Sequence, residues 1–193
     1  MPWRRTLLRV LGVLENKEKM VNRFIIADTP KEIAQALCDK HVVKMPLEEA
    51  QMLCTVVRQA NPEYADEHEL YRVAHAKHPC TLWAGKTRSN YMYAFRLWNH
   101  MCLEYTYRYG RQHASERFID ALREGARFVP TGELTAHPEC FSEYTHLKTG
   151  EHWPVDGYRK FYHTKQHRFD MVWSKRNKPT WFDWQWENVY AAA

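Results

Sequence analysis

The apolar positions of this chain recur mostly at spacings of three and four, the period of amphipathic helices, with two long stretches in which the pattern lapses. The first helix is signalled at Thr29. Pro30 suits the first helical position, and Glu32, three residues after Thr29, completes a capping box. Ile33, Ala34, Ala36 and Leu37 supply its inner face. Residues 23–27, just upstream, read either as a short strand or as an extended buried segment. Pro46 predicts a break or kink near Lys44–Met45, because proline lacks the amide donor and crowds the preceding turn. Leu47, Ala50, Leu53, Cys54 and Val57 then form a new stripe, and a helix is expected from about 46 to 59.

Residues 60–89 read as a long irregular connection, of the kind that often carries a binding role. The clearest helix follows, from about Asn90 to Tyr109. Its stripe is aromatic (Tyr91, Phe95, Trp98, Cys102, Tyr105, Tyr109), and Gly110 is its natural stop. A shorter helix is expected from about Ala114 to Gly125, with Phe118, Ala121 and Leu122 inward. Residues 126–155 are rich in proline and glycine and read as irregular. A helical pattern returns over 156–176 and stops before Pro179. The fold class is therefore mainly α: a compact helical domain over residues 21–193 with long connecting loops. Residues 1–20 form an amphipathic extension or a spurious start, with Met20 as an alternative initiator.

Composition narrows the classes without choosing among them. Hydrophobic residues make up 45% of the chain and charged residues 26%, as in folded domains rather than disordered chains. The formal charge is +5, spread along the chain, which suits a polyanionic partner. Five cysteines without CxxC spacing suggest reduced thiols and a cytoplasmic protein. No apolar run is long enough for a membrane span. There is no GxGxxG, Walker A loop, GxSxG or HExxH, so no cofactor is expected. A monomer is expected.

Three groups of side chains carry candidate chemistry. His41, Lys44 and Glu48 would share one face of an unbroken helix, although Pro46 lies between them. Their alternative roles are capping and filling a helix junction. His100, Glu104 and Arg108 recur every four residues, with Arg96 one turn earlier and Arg111 beyond the turn. That stripe either orients a phosphate or forms a salt-bridge ladder. "HAKHPC" offers His75, His78 and Cys80 as metal-type ligands, with His163 and His167 as a distant pair. The set lacks the spacing of a structural zinc site, and no metal is assigned. The tail holds Trp181, Phe182, Trp184 and Trp186, which either close the core or stack on bases.

Three segments together resemble a known family. "DKHVVKMPLEEAQML", the set His78–Pro79–Trp83–Asn90–Tyr91, and "EYTYRYGRQH" are similar to a set of uncharacterised phage proteins. Through the first segment and the aromatic tail, the chain more distantly resembles the pyrimidine-dimer DNA glycosylases, the endonuclease V-like phage enzymes. The resemblance implies that enzyme fold, a double-stranded DNA partner, and a base-lesion glycosylase with abasic-site lyase activity. It places His41 and Glu48 at the family's histidine and catalytic glutamate. In that family an N-terminal amine attacks the deoxyribose C1′. Here about 20 residues precede the matching region. The amine would then come from Met20 or Val21 after a later start, or from Lys40 or Lys44 with a lowered pKa. Arg96, Arg108, Arg111 and Lys44 are expected to meet phosphates, and Trp181, Phe182, Trp184 and Trp186 to stack on or wedge between bases. A non-catalytic phage DNA-binding protein and an enzyme of nucleotides or unusual bases are the alternative readings.

Overall fold

The computed structural model describes residues 22–183; residues 1–21 and 184–193, with Trp184 and Trp186, lie outside the described part. The described residues are helical and contain no strand. Helix α1 spans Pro30–Ala36, α2 Asp39–Ala60, α3 Pro62–Glu67, α4 Pro79–Lys86 and α5 Arg88–Tyr109. After a 3-10 turn at Ala114–Phe118 come α6 at Ile119–Gly125 and α7 at Val155–His163, with further 3-10 turns at 126–128, 142–147, 164–167 and 180–183. None of these helices is long and apolar enough to cross a membrane.

The local signals of helix entry hold where they can be read from neighbouring residues. Thr29 Oγ1 accepts the Glu32 amide, and the Glu32 carboxylate accepts the Thr29 amide, a reciprocal capping box. Gly110 closes α5 in the left-handed conformation, at φ 69°. Residues 23–27 are extended and buried rather than a strand, because no second segment pairs with them.

The expected break at Pro46 does not occur. Helix α2 continues through it for 22 residues. An interior proline costs an isolated helix about 3 kcal/mol. The buried face nevertheless runs without interruption from His41, Val42 and Met45 through Pro46 to Ala50, Leu53 and Val57. Packing of α2 against α5 overrides the local penalty. The connection at 60–89 is also more ordered than expected. Asn61 caps α3, and His78 caps α4 by accepting the Cys80 amide. By contrast, the helical pattern of 156–176 holds only for α7 and one 3-10 turn, and the chain beyond runs without a helix until Thr180.

Helices α1, α2 and α4 all pack on α5, which places Trp98 and Tyr91 at the centre of the core. A second layer of rings from Phe141, Tyr158, Phe161 and Tyr162 closes the side formed by α7. Inside this core the Arg23 guanidinium is ion-paired with Glu49 and lies over Trp83, 5.2 Å from its ring centre. Burial alone would lower the Arg23 pKa, but Glu49 overrides it and holds the charge on.

Candidate active site

Because α2 is continuous, His41, Lys44 and Glu48 stand on successive turns of one helix. Their environments differ. His41 is buried between the rings of Phe24, Tyr162 and Phe169. The Tyr162 hydroxyl accepts the Cys38 amide at 2.9 Å and shares a second hydrogen bond with His41 Nδ1, 2.8 Å away. Burial, helped by Lys44 and Lys165, pushes the His41 pKa down to about 3, so the ring is neutral. Its Nδ1 is engaged by the Tyr162 hydroxyl.

Glu48 is a buried, half-partnered carboxyl. Its side chain is only 9% exposed, and Oε1 lies 2.8 Å from Lys44 Nζ. Oε2 is buried with no hydrogen-bond partner. Burial raises its pKa; Lys44 and His78 pull the other way, and neighbouring Glu49 adds to the rise. Lys44 itself reaches solvent. Its charge helps lower the pKa of His41, His75 and Lys165. His75 occupies the left-handed region at φ 56°, a conformation that costs a non-glycine residue of order 1 kcal/mol or more.

Lys165, absent from the sequence-based candidates, is the lysine with the most altered amine among the described residues. It is buried, with Nζ 3.6 Å from the centre of the Phe161 ring. Burial, together with Arg168 and Lys44 and against the pull of Glu143, lowers its pKa to about 7. A substantial fraction is therefore neutral, with a free lone pair, near pH 7. No local motif marks this residue; its pKa depends on Phe24 and Phe161 closing over it. Lys40, the other lysine considered as nucleophile, is exposed and lies over Phe169.

The expected phosphate and base contacts are redistributed. Arg108 is 3% exposed and donates to Glu104, Asp39 and the Gln35 carbonyl. Arg176 completes a bidentate pair with the same Glu104. Glu104 and Arg108 thus form an internal ion-pair hub with Asp39 and Arg176, and Arg108 is not presented to a phosphate. Arg96 and Arg111 are exposed, and Arg111 donates to the Tyr105 hydroxyl. Trp181 and Phe182 are both buried, against Tyr162, His163 and Trp173, so they close the core instead of offering faces to bases. Trp184 and Trp186 lie outside the described residues.

The possible metal ligands also regroup. His78 and Cys80 are joined by Cys140, sixty residues further on, rather than by His75, His163 or His167. The chain matches no protein-family model, no curated protein and no solved structure.

Proposed function

We propose that this protein acts on DNA as a base-lesion N-glycosylase with abasic-site lyase activity, with Glu48 and a lysine amine as its reacting groups. The observation that carries this reading is the Glu48 carboxyl: buried, with one oxygen held by Lys44 and the other unpartnered. Lys165, whose pKa is lowered to about 7, supplies the amine in this reading. The likeness of "DKHVVKMPLEEAQML" to the pyrimidine-dimer glycosylases supports Glu48 and suggests the same fold, while that family's own nucleophile is an N-terminal amine rather than Lys165.

In this reading the Lys165 lone pair attacks the deoxyribose C1′. The glycosidic bond breaks, and its electrons leave with the base, which takes up a proton. The nitrogen then loses its own proton and the sugar ring opens, leaving a C1′ imine that permits β-elimination of the 3′ phosphate. Glu48 transfers the proton and, once ionised, offsets the positive charge that builds on the sugar. Lys44 holds Glu48 in place and, with Arg96 and Arg111, supplies phosphate contacts. Exposed Val43 and Leu47, beside Lys44 on α2, take the wedge role first assigned to Trp181 and Phe182. The protein binds as a monomer to double-stranded DNA.

Borohydride reduction in the presence of a duplex with one abasic site, and of another with a thymine dimer, tests this. The expected result is a covalent adduct on the peptide carrying Lys165. It should be lost in Lys165→Met, and Glu48→Gln should abolish turnover while retaining salt-sensitive binding. An adduct at an N-terminal amine would keep the reaction class and move the nucleophile. Tight binding without any adduct would instead favour a non-catalytic DNA-binding protein.

A further inference from the structure

Cys80 and Cys140 meet at the end of α4 that faces the loop before the 3-10 turn at 142–147, with their sulfurs 3.4 Å apart. One ring nitrogen of His78 lies with them, and the three ligand atoms are all within 4.8 Å of one another. His137, three residues before Cys140, is 3% exposed and stands beside the Cys80 thiol. Both of its ring nitrogens are buried with no hydrogen-bond partner. An imidazole removed from water needs at least one partner, and the polar side chain this ring meets is the Cys80 thiol.

We propose that His78, Cys80, Cys140 and His137 form a structural zinc site. The ligands come as two local pairs, His-x-Cys and His-x-x-Cys, the short spacings that set two donors toward one ion. A tetrahedral ion with bonds of about 2.3 Å to sulfur and about 2.0 Å to nitrogen requires ligand atoms roughly 3.3–3.8 Å apart. The sulfur pair, 3.4 Å apart, has to open by only a few tenths of an ångström, and the widest separation among His78, Cys80 and Cys140 has to close by about 1 Å, with His137 moving in as the fourth ligand.

Both ligand-bearing segments are fixed by contacts that do not involve the ion. Cys140 is held by its amide on the Tyr158 hydroxyl and by Asn22 on its carbonyl, and the His137 amide donates to the His152 carbonyl. Trp83 and Asn90 tie Thr135 to α4 and α5. On binding, each thiol releases its proton to solvent and forms a zinc–sulfur bond. Two thiolates then balance the dication, and neighbouring Arg23 is already neutralised by Glu49. The His78 Nδ1 lone pair, which accepts the Cys80 amide, gives up that bond whichever nitrogen binds the ion. A disulfide would use the two sulfurs and leave the His137 ring nitrogens as they are.

The site stands independently of the glycosylase reading, and it is tested without any activity assay. The full chain, purified without chelator and without added metal, should carry about one equivalent of zinc by elemental mass spectrometry. Removing it and titrating cobalt into the wild-type protein should give intense visible bands of tetrahedral cobalt with thiolate charge transfer. Cys140→Ser and His137→Ala should lose the thiolate or tetrahedral signature, whereas Cys54→Ser should retain it. Metal-free protein that takes up neither ion would overturn the proposal, as would a Cys80–Cys140 disulfide in protein purified under reducing conditions.

Discussion

His41 ties the residue scale to pH. Its folded pKa lies near 3, against 6.5 for an unfolded histidine, so the unfolded chain binds the extra proton first. Stability from this residue is complete above the unfolded value and is lost as pH falls toward 3. At pH 5 the loss relative to pH 8 is roughly 2 kcal/mol, and it should be visible as a lowered melting temperature that His41→Phe largely removes. Tyr162→Phe should cost roughly 1–3 kcal/mol in urea denaturation, because it strands both the Cys38 amide and His41 Nδ1. Lys165 shifts in the same direction from a higher start. Its folded pKa near 7 lies below the 10.5 of a free lysine, so stability rises from about pH 7 to 10.5 as the unfolded chain gives up its proton. Imine formation should rise through pH 7 over the same titration, measured as the initial rate of borohydride trapping. The ligand types at 75–80 and the carboxylate at 48 were legible in the sequence because residue identity alone marks them. Lys165 was not, since a lysine acquires its chemistry from what covers it.

At the scale of elements, two glycines show how closely the helices approach. A β-carbon at Gly125, at the end of α6, would stand 2.7 Å from Val57 Cγ2 on α2, and Val57 is fully buried with a stiff side chain. Gly125→Ala should therefore destabilise by about 1–3 kcal/mol. Gly85, inside α4, has only ordinary contacts with Val56 at 3.6 Å, and Gly85→Ala should stabilise by about 0.5–1 kcal/mol. Chemical denaturation of the two variants side by side checks the contrast. The sequence was most informative about helix beginnings and ends, since the Thr29 cap and the Gly110 stop are each formed within a few residues. It misled at Pro46, where a local penalty is outweighed by contacts made along the whole of α2. It misled again beyond α7, where Phe169 and Trp173 keep a helical spacing but are inward-facing for another reason: an extended segment lies across α1 and α2.

At the scale of the whole molecule, Arg108 is where distant parts of the chain converge. It joins α5 to the start of α2 through Asp39 and to α1 through the Gln35 carbonyl, while Arg176 meets it at Glu104. Arg108→Met should cost about 3–5 kcal/mol in equilibrium unfolding, because two carboxylates lose a buried partner. The spacing of Glu104 and Arg108 was legible as a pair, but its burial was not, since Asp39 lies 69 residues away in sequence. The same limit hid the grouping of Cys140 with Cys80. Ser174 donates to Asp39 from both its amide and its hydroxyl, and the Asp39 amide donates to the Val172 carbonyl. The start of α2 is thus finished by residues made more than a hundred positions later. While the chain is still on the ribosome, the helix that carries Glu48 emerges with its first turn incomplete and its aromatic flank uncovered, a form open to chaperones and proteases. The protein can complete its fold only once residues 172–176 have been synthesised.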